Sequence, residues 1–89
     1  MARDEAAVAQ TVKQVLRDIL GLSEARAAAL TDESGLFGTL PELDSMAVMG
    51  LLTELEDRLG ILIDDEDVDG DMLLTFGALT RFAADRLRV

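Results

Sequence analysis

The chain predicts an all-α fold: a four-helix bundle with one short third helix and a long loop between helices one and two. Three features carry the prediction. Apolar residues recur at helical spacing in three separate stretches. No alternating β-branched run is bounded by turn residues, so strand signals are missing. Glycines stand just past the last apolar residue of the first two helical patterns, where left-handed helix ends favour them. At 89 residues the chain is one small domain, 1–89, which buries about 60% of the surface its unfolded form exposes.

The first helix is expected from Asp4 to Leu20, with Val8, Val12, Val15, Leu16 and Ile19 forming one stripe and Gly21 as the stop. Residues 21–43 form the long connection, in which Ser23 can cap a short Ala-rich turn from Glu24 to Leu30. Leu36, Phe37 and Leu40 are expected to pin this loop over the core, and Pro41 helps set the next helix start. A connection of this length is more often functional than a mere tether. The second strong helix runs from about Ser45 to Leu59 and ends at Gly60. Ile61-Leu62-Ile63 then crosses back as an apolar segment, and the acidic stretch from Asp64 to Met72 holds one short helical turn around Val68. Thr75 is the cap expected for the last helix, which buries Phe76, Leu79, Phe82 and Leu87. Arg81, Arg86 and Arg88 sit toward its C-terminal end, where the helix dipole favours cations. The expected core combines Leu43, Val48, Leu52, Leu55 and Leu59 with Val12, Leu16, Ile63, Leu79 and Phe82.

Charge restricts function. Eleven of the eighteen acids lie between Glu42 and Asp71 with a single base, Arg58, so that stretch carries the whole net charge of −10. The other 59 residues balance at seven acids and seven bases. Nucleic-acid binding needs a basic patch, and this surface repels phosphate backbones and anionic lipid alike. Basic protein surfaces are its complement. The residue inventory also argues against catalysis. There is no His, Cys, Tyr or Trp, hence no ordinary general base near neutral pH, no thiol nucleophile and no zinc ligand set. The N-terminal residues Met1 to Glu5 lack an apolar signal core, and no apolar run approaches the ~20 residues of a membrane span. A cytoplasmic, monomeric, non-enzymatic protein is the expectation.

The helix from Ser45 to Leu59 has two apolar faces. At about 100° per residue, Val48, Leu51, Leu52, Leu55 and Leu59 form the core side. Met46 and Met49 fall near the opposite side with Gly50, Thr53, Glu56 and Asp57. Methionine is adaptable and suits surfaces that meet several partners, so this face reads as a contact patch rather than scattered surface hydrophobes. Ser45 has two readings. It can cap the helix. Alternatively Asp44 caps, leaving the Ser45 hydroxyl free beside unpaired N–H groups and the positive end of the dipole, where a phosphoryl group is favoured.

Leu43-Asp44-Ser45-Met46, followed by Leu51-Leu52 and Leu55-Glu56, resembles the attachment motif of the acyl carrier protein family, whose pattern is Asp-Ser-Leu at the start of the second helix. The similarity continues through Gly60-Ile61-Leu62-Ile63-Asp64-Asp65-Glu66 and Thr75-Phe76-Gly77-Ala78-Leu79. It implies that Ser45 receives 4′-phosphopantetheine through a phosphodiester, installed by a phosphopantetheinyl transferase. The arm's thiol then holds an acyl group as a thioester for enzymes of fatty-acid, polyketide or related lipid synthesis. Acyl-activating, synthase or acyltransferase enzymes with basic docking patches are the implied partners. Asp44, Met46, Met49, Glu56 and Asp57 match partner-facing positions of the family. A long acyl chain is expected to slip between the second helix and its neighbours. Met46 replaces the family's usual leucine conservatively; Gly50, where many fatty-acid carriers have glutamate, and the long segment before Pro41 point to a specialised carrier.

Three alternatives stand beside this reading. A peptidyl carrier shares the serine but usually has less acidic second and third helices. An acidic helical adaptor would need no prosthetic group. Asp65-Glu66-Asp67-Val68-Asp69-Gly70-Asp71 resembles the opening of an EF-hand calcium loop, but Phe76 stands twelfth, where a bidentate glutamate is required. Only weak, non-specific divalent binding is therefore expected, and no dedicated metal site.

Overall fold

A computed structural model describes residues 5–87, so the predicted helix start at Asp4 and the cation Arg88 lie outside the described residues. Helix α1, Glu5–Leu20, lines its inner face with the predicted valines and Leu16, and Gly21 closes it by donating its N–H to the Arg17 carbonyl at 2.9 Å. Helix α2, Glu24–Ala28, is the short Ala-rich turn, ended two residues sooner than Leu30. Ser23 caps it by accepting from the Arg26 N–H at 3.1 Å. Helix α3, Ser45–Leu59, ends at Gly60 in the left-handed conformation, φ 67. Helix α4, Phe76–Leu87, is capped by Thr75, whose hydroxyl accepts from the Ala78 N–H at 3.1 Å. Helix α1 packs against all three other helices and forms the spine of the bundle.

The long loop is fastened to the head of α4. Leu36 donates to the Leu74 carbonyl at 2.8 Å, Phe37 to that of Leu73 at 2.9 Å, and Phe76 to that of Ser34 at 2.8 Å. An isolated antiparallel bridge joins Gly35 to Thr75, and among the described residues there is no strand. This fastening explains Gly77. A Cβ there would meet the Asp32 carbonyl oxygen at 2.9 Å, closer than real Cβ contacts allow, so the loop can lie on α4 only where the side chain is absent.

The all-α bundle with a short third helical region is the architecture found, with differences in detail. The acidic segment forms two single 3₁₀ turns, Asp65–Asp67 and Asp71–Leu73, instead of one turn around Val68, which is extended between them at φ −87, ψ 120. Crowded carboxylates satisfy local backbone N–H groups: Asp69 accepts from Met72 at 3.0 Å and Asp67 from Asp64 at 3.3 Å. Such side-chain bonds compete with continuous helix. Of the predicted core, Leu43, Leu55, Val12, Leu16 and Leu79 are buried, whereas Val48, Leu52, Leu59, Ile63 and Phe82 are only partly covered. Leu51 and Leu55 are the fully buried pair of α3. Leu52 borders a crevice shared with Ile63 and Val68, which leaves it partly open. Gly50 is half-buried rather than on the methionine face. A Cβ placed there would lie 3.8 Å from Ile19 of α1. Phe37 is no core anchor: Leu36 is fully buried, but its neighbour Phe37 is exposed.

Candidate functional site

The head of α3 is built by three consecutive residues with different tasks. Leu43 is buried and anchors the incoming chain. Asp44 is extended (φ −100, ψ −175) and caps the helix, its carboxylate accepting from the Ala47 N–H at 2.8 Å. Ser45 is the first helical residue, exposed, and its hydroxyl forms no hydrogen bond among the described residues. The first N–H groups of a helix lack intrahelical acceptors, so the amides of Ser45 and Met46 point past the helix end beside that hydroxyl. Asp44 and Ser45 share the rim of an open groove of about 520 Å³ with Phe37, Leu40 and Pro41.

The chain entering this site is braced from α2. Arg26 makes a two-pronged contact with Glu42, at 2.6 and 3.3 Å. The guanidinium holds the Glu42 carboxyl below the usual carboxylate range, chiefly through that hydrogen bond. Sequence reading missed this pair, because nothing local signals an ion pair between residues sixteen positions apart.

Of the residues expected to meet partners, four are exposed and Glu56 is half-buried. Met46 is 84% exposed and Met49 68%. Asp44 and Asp57 are exposed. Glu56 is half-buried, and one of its carboxylate oxygens accepts from the Ile63 N–H at 2.8 Å, holding the crossing segment onto α3. Leu62, between the inward Ile61 and the half-buried Ile63, is 84% exposed. Among the described residues no group of three or more His, Cys, Asp or Glu converges on a point where a metal ion could sit. No helix among them is long and apolar enough to cross a membrane.

A family described as "phosphopantetheine attachment site" matches residues 10–83, most of the chain. The chain belongs to the phosphopantetheine-binding carrier family. The carrier is similar to the holo acyl carrier protein from Nitrosomonas europaea, determined by solution NMR. The two are 37% identical with a TM-score of 0.84, over 91% of this chain and 96% of that one. Comparison with curated protein sequences gives no significant match. The family is non-catalytic, and its prosthetic group is phosphopantetheine. The donor chemistry here fits such a group: an exposed alcohol, orphan N–H groups and a helix dipole all favour a phosphodiester. The Asp44 carboxylate opposes it by charge, but its exposure lets solvent and salt screen the repulsion.

Proposed function

We propose that Ser45 is the attachment point for 4′-phosphopantetheine. The protein then presents acyl intermediates to enzymes of fatty-acid, polyketide or related lipid synthesis. The observation that carries the reading is the division of labour at the head of α3. Because Asp44 takes the cap, the neighbouring hydroxyl is left without an internal task. When bound, the arm supplies the thiol that a chain with no cysteine lacks.

This chain's residues do the rest. Leu43 and the Arg26–Glu42 pair fix the backbone that positions Ser45. Asp44, Met46, Met49 and Asp57 offer an apolar strip edged by carboxylates to enzymes with basic docking surfaces, and Glu56 adds a charge whose position Ile63 holds. Complementary charge speeds and orients encounter more than it tightens the complex, which suits a shuttle that must leave each enzyme.

Intact mass measured after incubation with coenzyme A and a phosphopantetheinyl transferase tests the reading. One added arm is expected on the wild-type chain and none on Ser45→Ala. A wild-type chain of unchanged mass would leave only an acidic adaptor.

A further inference from the structure

The geometry points to a resting place for the arm. We infer that the groove between the 37–43 loop and the head of α3 docks the apolar part of the pantetheine arm while its thiol is free. The inference rests on Ser45 carrying that arm. Ser45 and Asp44 are themselves part of the groove wall, so a chain leaving the Ser45 oxygen starts inside it. The rest of the lining is mostly apolar, Phe37, Leu40, Pro41 and Leu43, with Gly38 and Thr39 among them. Next to its phosphate the arm bears a carbon with two methyl groups, followed by methylenes joined through amides. Those methyls and methylenes match a wall of ring and aliphatic carbon, and the open side leaves the amides in water.

Phe37 is the informative residue. It is 42% exposed although Leu36 beside it is fully buried. Its backbone is held by the hydrogen bond to the Leu73 carbonyl at 2.9 Å, and Gly38, at φ 89, turns the chain away directly after it. The backbone that carries the ring is thus held beside the groove, and the ring is left partly exposed as one of the residues lining it. A second crevice beside α3 is smaller, about 100 Å³, between that helix and the crossing segment, lined by Met49, Leu52, Ile63 and Val68 among others. Met49 lies four residues beyond Ser45, about 6 Å along the axis. The crossing segment is also latched over that crevice, by the Ile63–Glu56 hydrogen bond at 2.8 Å and by Asp67 paired to Arg86 of α4 at 3.2 Å. The groove is both nearer the attachment oxygen and already open.

The test is made on the loaded, isotope-labelled full chain. Nuclear Overhauser contacts are expected between the two arm methyls and the Phe37 ring, with shifts at Leu40 that the unloaded chain lacks. Because the chain has no cysteine, a maleimide reads the arm thiol alone. Phe37→Ala is expected to raise its alkylation rate severalfold, whereas Leu62→Ala, a change at an exposed apolar residue away from the groove, leaves the rate as it was. Arm contacts to Met49, Leu52 or Val68, or none at all, overturn the inference while the mass gain keeps Ser45 as the attachment point. Failure to load removes both. The contact measurement uses the unaltered chain, so it stands even if Phe37→Ala folds poorly.

Discussion

At the scale of single residues, one position separates a structural oxygen from an available one. Serine and aspartate are nearly equivalent helix caps, and both stand at the head of α3. The chain places the carboxylate at the cap and the alcohol one step inside. Leu43 decides this, because its burial fixes where the extended backbone must turn helical. Deeper in the same helix, burial separates leucines that the helical wheel treats alike. Leu55 is fully buried, while Leu52 is half-covered and borders the crevice under the crossing segment. Leu55→Ala removes the Cγ and both Cδ methyls from the core and leaves a cavity, so a loss of about 2–5 kcal/mol is expected. Leu52→Ala is expected to cost clearly less, since solvent already reaches that site. Urea unfolding of the two variants checks the order. Equal losses would show that the crossing segment closes over Leu52 in solution.

At the scale of elements, arginines join helices that hydrophobic contact alone would leave free to slide. Arg58 of α3 donates to Asp18 of α1 at 2.8 Å and to Glu54 within α3 at 2.7 Å. The Arg58 hydrogen bond, opposed by partial burial and aided by Arg17, lowers the Asp18 carboxyl below its ordinary value of 3.8. Arg26 does the same for Glu42, from 4.5. A carboxyl lowered on folding contributes stability that is fully present above its unfolded pKa and is lost as pH falls through the folded one. Stability should therefore decline as pH drops below about 4.5, and Arg58→Met or Arg26→Met should make that decline shallower. Thermal melts across acid pH check this, and unchanged slopes in both variants would count against it. These pairs also mark the limit of sequence reading. The caps Ser23 and Thr75 and the stops Gly21 and Gly60 were legible, because each acts within four residues, whereas the choice between Asp44 and Ser45 as the cap of α3 is settled only by the Asp44 bond to the Ala47 N–H. The Arg58–Asp18 contact spans forty positions and left no local trace. The acidic crossing misled for a different reason, since its aspartates bond their own backbone and break the turn in two. Phe37 misled because it opens a turn, closed by the Leu40 N–H on the Leu36 carbonyl at 2.8 Å, that no apolar periodicity announces.

At the scale of the whole molecule, the charge imbalance sets both the partner class and the conditions of stability. Three acids of the 42–71 stretch are paired with arginine: Glu42, Glu54 and Asp67. Asp57, Asp64, Asp65, Glu66 and Asp71 form no ion pair among the described residues. The molecule measures 33 × 26 × 21 Å. The screening length is about 30 Å at 0.01 M ionic strength and about 8 Å at 0.15 M. In dilute buffer, therefore, every acid repels every other across the whole body, whereas at higher salt only near neighbours do. Unfolding relieves that repulsion, so the melting temperature should climb as NaCl is raised from the lower to the higher value. Mg²⁺ should act at lower concentration, because a divalent ion relieves two carboxylates at once without needing a built site. The same screening weakens the field that draws basic partners, so the association rate with a client enzyme should fall over the range in which the melting temperature rises. A flat melting temperature in both salts would mean that the acids are spread widely enough not to oppose folding, and that the surface is tuned for docking alone.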